Sequence, residues 1–135
     1  MDFTDFRELL TPLGQTALAE AEALAPREED FLAHLGRLQK VYPAALAKAA
    51  LETAILRARA RAKFARARTM YFTREALEQA SGEGISHYRA RRYSGYGTVA
   101  DLGCGIGGDS LGPVSYTHLR CRRSYACRSR WSPYH

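Results

Sequence analysis

The sequence is poor in cysteine, with three among 135 residues, and no two of them form a CxxC pair. An odd number without that spacing is typical of neither a disulfide framework nor a structural zinc site. No stretch approaches eighteen uninterrupted apolar residues, which argues against a membrane-spanning helix. The N-terminus lacks the basic start and apolar run of a secretory signal, so a cytoplasmic location is predicted.

Negative charge is missing from the end of the chain, because no Asp or Glu follows Asp109. Residues 113–135 carry five arginines, whereas residues 1–112 balance 15 basic residues against 14 acidic ones. The net charge of +6 therefore comes almost entirely from this tail. With 46% apolar and 25% charged residues, the composition is that of a soluble globular protein. The length is too short for a helical domain plus a complete doubly wound sheet.

Most of the sequence predicts helices. Thr11 is a typical N-cap residue, and Pro12 suits the first helical position. A second helix is expected to begin at Pro26, with acidic residues at 28–30 in its first turn. A third is expected from Pro43 to about Arg68, because this stretch has no glycine or internal proline.

Two shorter helices are expected further along. Thr73 is predicted to cap one of them, and the other follows the glycines at 82 and 84. The seventeen alanines between positions 17 and 67 favour closely packed helices over a sheet. The helical region is thus predicted to cover residues 1–92.

The pattern changes at residues 98–102, TVADL, which predict a short strand. The sequence GCGIGG follows at 103–108, and a helix is expected to begin at about Asp109. Glycines belong in such a turn because the chain bends sharply while its backbone approaches a ligand. The match to GxGxxG is by itself a weak signal.

Asp101 bears on which ligand this turn would bind. It lies two residues before the first glycine, where a dinucleotide site carries an apolar residue and an S-adenosylmethionine site carries an acid. Both cofactor types also need an acid about 20 residues further on for the ribose hydroxyls. Since no acid follows Asp109, the cofactor domain is predicted to be incomplete in this chain.

The segment VADLGCGIGGDSL resembles motif I of class I S-adenosylmethionine-dependent methyltransferases. Together with KFARARTMYFTREALEQASGEGISHYRARRY upstream, it is similar to bacterial methyltransferases with a THUMP-like domain and, more distantly, to trimethylguanosine synthases. The resemblance implies a Rossmann-like α/β fold beginning at residues 93–112 and S-adenosylmethionine as cofactor. It implies an RNA substrate for the parent enzyme, with a guanine amino group as a candidate acceptor.

The resemblance also assigns cofactor-binding residues, namely Asp101, Gly103, Gly105 and Gly107, with Phe72 and Thr73 closing over the pocket. For Phe72 and Thr73, a core aromatic and a helix cap are equally good interpretations. No catalytic residue is assigned, because the region that carries the substrate side in the family has no counterpart here. The chain is therefore expected to be inactive.

The tail at 113–135 has neither helical nor strand periodicity, and PVSYTHLR closely resembles translated sequencing-adaptor read-through. It is predicted to be artefactual or disordered, and the first strand is expected to have no partner. A zinc site is disfavoured because the candidate ligands lack paired spacing; these are His118, Cys121, Cys127 and His135. Arginines interleaved with aromatic residues would also bind single-stranded nucleic acid nonspecifically.

The segment RARARAKFARAR carries six basic residues and no acid. On a helix they divide into two clusters on nearly opposite sides, one of Arg57, Arg61 and Arg68 and the other of Arg59, Lys63 and Arg66. A solvated helix is therefore favoured over a phosphate-binding stripe.

Two other functions stay open from the sequence. One is a dinucleotide-binding oxidoreductase fragment, against which Asp101 argues. The other is a non-enzymatic helical module that binds RNA or a protein.

Overall fold

The computed structural model describes residues 3–101, 105–111 and 118–121. The described chain is mainly helical, as predicted. Its α-helices are α1 (Phe3–Leu9), α2 (Pro12–Ala23), α3 (Phe31–Leu38), α4 (Ala44–Ala60), α5 (Arg74–Gln79) and α6 (Glu83–Ala90). Single 3-10 turns lie at Ala67–Thr69, Arg91–Tyr93 and Asp109–Leu111, and the strands are β1 (Thr98–Asp101) and β2 (His118–Cys121).

The chain divides into two compact units. One comprises the described residues up to Arg61 together with Arg66–Phe72, and the other comprises Ala62–Ala65 and the described residues from Thr73 onward.

The first unit packs α1, α2 and α3 around α4. Eleven of the seventeen residues of α4 are buried, so this helix is apolar on most of its surface. The predicted cap of α2 is confirmed, since the Thr11 hydroxyl oxygen accepts a hydrogen bond from the Gly14 N–H at 3.2 Å. The core consists of leucines and alanines from these helices, with Tyr42 and Ile55.

Two helix boundaries predicted from the sequence are wrong. The second helix begins at Phe31 rather than at Pro26, because residues 27–31 form turns in which the Asp30 and Phe31 N–H groups donate to the Arg27 and Glu28 carbonyls. The third ends at Ala60 rather than near Arg68. Strong helix propensity over 61–68 is overridden by tertiary contacts of Lys63 and Phe64.

In the second unit, the side chain of Lys63 caps the end of α5. Its Nζ donates hydrogen bonds to the carbonyls of Leu77 at 2.7 Å, Glu78 at 3.1 Å and Ala80 at 2.9 Å. These carbonyls lie in the last turn, where a helix lacks internal donors and where its dipole favours a cation. The neighbouring Phe64 is buried, so Lys63 and Phe64 both form interactions that a continued α4 would not provide.

The strand β1 has a partner, contrary to the prediction. It pairs in parallel with β2, so that Thr98 faces His118 and Asp101 faces Cys121. Parallel strands need a connection of a dozen or more residues, and the separation of β1 and β2 along the sequence meets this length. The rest of the tail lies outside the described residues.

Candidate cofactor-binding loop

The glycine-rich segment after β1 turns sharply. Gly105 and Gly107 have φ values of 51° and 79°, in the left-handed region where residues with a Cβ are strained. The chain then enters a three-residue 3-10 turn, Asp109–Leu111, at the position where a helix is expected from the sequence. Here the N–H groups of Ser110 and Leu111 both donate to the Gly107 carbonyl at 3.1 Å. Within the described part of this segment, Gly105 and Gly107 therefore occupy positions whose backbone conformation favours glycine.

A hydrogen bond joins the two ends of the loop. The Ser110 hydroxyl donates to Oδ2 of Asp101, at the end of β1. Ser110 is buried and Asp101 is half-buried.

The helix α6 positions the loop through Asp109. The fully buried Ser86 donates from its hydroxyl to the Asp109 carbonyl at 2.9 Å. Nη1 of Arg89 lies 2.8 Å from Oδ1 of Asp109 and also donates to the Ser81 hydroxyl at 3.2 Å. The Asp109 backbone and side chain are thus both bonded to α6.

Gly108 lets the loop approach an aromatic ring closely. A Cβ at this position would lie 3.3 Å from Cζ of Phe64 and 3.5 Å from the Cβ of Ala80. By contrast, a Cβ at Gly107 would meet no atom of the described residues within 4 Å. Within the second unit, the loop therefore packs against Phe64 and Ala80 at Gly108 and has more space at Gly107.

Of the predicted site residues, Asp101 and Gly107 both accept hydrogen bonds from Ser110, and Gly105 lies two residues before Gly107 in the loop. Gly103 lies outside the described residues. Phe72 is 2% exposed, and the Thr73 hydroxyl accepts a hydrogen bond from the Ala76 N–H at 3.2 Å as the N-cap of α5. The assignment of Phe72 and Thr73 to the cofactor site stays a prediction.

Sequence reasoning missed Ser86, Arg89 and Ser110, which position the loop. Ser86 and Arg89 bond to a residue 23 and 20 positions away, respectively. Such partners are fixed by tertiary packing, so no local motif indicates them. Ser110 directly follows Asp109 in the quoted motif, but its bond to Asp101 depends on the fold of the loop.

The prediction of a solvated basic helix over 57–68 is wrong for Arg57. That side chain is buried, with Nη1 2.9 Å from Oε1 of Glu22 and Nε donating to the Met70 carbonyl at 2.9 Å. Arg59 forms an ion pair with Glu28 at 2.9 Å. At least three of the six basic residues therefore form contacts within the chain. These are Arg57, Arg59 and Lys63.

Within the described residues, no group of three or more His, Cys, Asp or Glu side chains is arranged to hold a metal ion. Of the four zinc candidates, Cys127 and His135 lie outside that part of the chain. In the same described ranges, none of the helices is long and apolar enough to cross a membrane.

A comparison with protein families finds one similarity. Residues 2–60 match the model of a family described as a domain of unknown function (DUF8688). The match ends at the last residue of α4 and does not include the glycine loop. No curated protein and no solved structure matches the chain.

Proposed function

We propose that this chain is the N-terminal part of an S-adenosylmethionine-dependent methyltransferase that acts on RNA. In this proposal, β1, the glycine loop and the turn at Asp109 are the start of a Rossmann-like domain. The observation that carries the proposal is an acid at the end of a parallel strand, directly before a loop with two glycines at positive φ.

The residues of the loop fit the chemistry of this cofactor. Asp101 supplies a carboxylate for a ligand with a cationic amino group, and Gly107 leaves open space on the side where a Cβ would stand. The bonds of Asp109 to Ser86 and Arg89 hold the loop without help from a ligand. Preorganised backbone of this kind lowers the cost of binding.

One position departs from a complete site. The residue in register with Asp101 on β2 is Cys121, 20 residues further on. A carboxylate is expected near this point to bind the ribose hydroxyls. We therefore expect weaker cofactor binding than in a complete enzyme, and no methyl transfer by this chain.

The bound cofactor would supply an electrophilic methyl group on a sulfonium sulfur. In the parent enzyme this methyl group would be transferred to a substrate nitrogen that is in line with the methyl carbon and the sulfur. Such a step depends mainly on holding the three atoms in line. The described residues contribute the cofactor side of this arrangement through Asp101 and the glycine loop.

Ligand-observed saturation-transfer NMR on the whole chain tests the proposal, since this method detects millimolar binding. Addition of S-adenosylmethionine should give transfer to its adenosyl protons. Asp101→Asn should weaken binding by roughly tenfold, because a hydrogen bond to a charged group contributes about 1.5–3 kcal/mol. The control Glu75→Gln removes one exposed charge from α5 and should leave binding unchanged.

Two results would contradict the proposal. A transfer signal from NAD but not from S-adenosylmethionine would select a dinucleotide-binding fragment. No signal from either cofactor would favour a non-enzymatic helical module. Sequencing the source DNA across the codons for residues 109–120 tests the proposed truncation separately.

A further inference from the structure

The end of α6 and the turn that follows it expose three tyrosines in nine residues. Tyr88 is 63% exposed, Tyr93 40% and Tyr96 64%. By contrast, Tyr42 is buried in the core of the first unit. Because burial of aromatic rings is a large source of folding free energy, three rings left in water indicate a role outside the fold.

The backbone places these rings beside two arginines. Residues 90, 91 and 94 have helical φ and ψ, so the helical path of α6 continues past Ala90. Tyr88 is therefore a neighbour of Arg91 and Arg92 at spacings of three and four residues. The Tyr96 N–H donates to the Tyr93 carbonyl at 3.0 Å, which closes a turn and brings the last two tyrosines together.

We call Tyr88, Arg91, Arg92, Tyr93 and Tyr96 the tyrosine–arginine surface. No acidic residue occurs between Glu83 and Asp101. Arg91 and Arg92 are exposed, and neither forms an ion pair with another of the described residues. The surface therefore combines uncompensated positive charge with exposed aromatic rings.

We infer that the tyrosine–arginine surface binds single-stranded RNA. Phosphates attract the two guanidinium groups, and unpaired bases stack on the tyrosine rings, as in other proteins that bind single strands. A duplex hides its base faces, so only a single strand satisfies both kinds of group. The choice of RNA over DNA rests on the proposed function. Binding of a single strand by stacking and charge is independent of that proposal.

The surface is separate from the contacts that hold the glycine loop. Ser86 and Ala90 are buried on one side of α6, and Tyr88 lies about 200° from Ser86 at the helical angle of 100° per residue. Substitutions at Tyr88 or Tyr96 should therefore leave the fold of the second unit intact. Circular dichroism and urea unfolding of each variant check this point.

The experiment measures binding of the whole chain to a fluorescein-labelled 12-nucleotide single-stranded RNA by anisotropy. Tyr88→Ala and Tyr96→Ala should each weaken binding by roughly fivefold or more, the usual effect of losing one stacked base. Phe3→Ala is the matched control, because it removes an aromatic ring that is 72% exposed in the first unit. It should leave the affinity within twofold of the parent chain.

A salt titration tests the arginines. Arg91→Ala/Arg92→Ala should make the slope of log affinity against log salt less negative by about 1.4, since each phosphate contact on a single strand contributes about 0.7. The control Arg37→Ala/Lys40→Ala removes the same charge from exposed positions near the end of α3 and should leave the slope unchanged. All variants keep the five arginines of the tail, so their nonspecific binding is constant.

The outcomes separate this inference from the proposed function. Equal affinity of the tyrosine variants and the parent chain would overturn the inference, as would equal binding of a 12-base-pair duplex. Self-association lost in the tyrosine variants, without RNA binding, would show a protein interface instead. RNA binding through the surface without S-adenosylmethionine binding would support this inference and overturn the methyltransferase proposal. S-adenosylmethionine binding without RNA binding through the surface would support the methyltransferase proposal and overturn this inference. A DNA strand of the same sequence tests the preference for RNA.

Discussion

The guanidinium carbon of Arg57 lies 4.6 Å from the centre of the Tyr71 ring. The same arginine donates to the Met70 carbonyl and forms an ion pair with Glu22. One side chain from α4 thus contacts both α2 and residues 70–71. A cation over an aromatic ring adds to the ion pair where water is partly excluded.

We therefore predict that Arg57→Ala lowers the free energy of unfolding by about 2–4 kcal/mol, because it leaves a partly buried carboxylate and a carbonyl without their donor. Urea denaturation followed by circular dichroism measures the change. Arg61→Ala, at an exposed position just after α4, is the control and should change stability by less than about 0.5 kcal/mol. Equal stability of the two variants would refute the structural role of Arg57.

Lys63→Met should destabilise α5 by about 1–2 kcal/mol, because three carbonyls at the end of the helix lose a charged donor. Amide hydrogen exchange in residues 74–80 reports the effect locally. The control is Lys48→Met, whose partner Glu52 is 3.9 Å away on an exposed helix face. Exposed pairs of this kind contribute about 0.5 kcal/mol or less. Unchanged exchange in α5 after Lys63→Met would rule out the cap.

Gly14 and Gly36 should respond oppositely to alanine. A Cβ at Gly14 would fall onto the backbone carbonyls of Glu8 and Leu9, whereas one at Gly36 would meet nothing within 4 Å. Gly14→Ala is therefore expected to cost about 2–3 kcal/mol through overpacking. Gly36→Ala should stabilise the chain by about 0.5–1 kcal/mol through helix propensity. Thermal unfolding distinguishes these predictions, which fail if the two melting temperatures shift in the same direction.

Tyr42 should make stability fall at alkaline pH. Its hydrogen bond to Glu20, together with burial and the charge of that carboxylate, raises the pKa of Tyr42 above 10.0. The unfolded chain then loses this proton first as pH rises, so the stabilising contribution is complete below about pH 10 and is lost towards the higher folded pKa. Urea unfolding between pH 9 and 11.5 should show the advantage of the parent chain over Tyr42→Phe shrinking. A constant difference would contradict the prediction.

Features with local causes could be predicted from the sequence. Thr11 and Thr73 cap the helices that follow them because a hydroxyl reaches an N–H three residues away. The strand before the glycines was predicted from the change in residue pattern at 98–102, whereas the helix expected at Asp109 is a single 3-10 turn. α1 lies within the predicted helical region of residues 1–92 but was not predicted as a separate helix.

Features with distant causes could not be predicted. Helix propensity alone extended α4 to Arg68, since Lys63 and Phe64 find their contacts among residues that come later in the chain. The bonds of Ser86 and Arg89 to Asp109 likewise depend on how α6 packs. The pairing of β1 with β2 was missed because the tail shows no strand periodicity.

The helix α6 carries two sets of residues on different sides. Ser86 and Arg89 hold Asp109, while Tyr88 is exposed to water about 200° from Ser86. Mutations on the solvent side can therefore accumulate without moving the glycine loop. An engineer who wishes to alter what this surface recognises can vary positions 88, 92 and 96 in a library while keeping 86, 89 and 109 fixed.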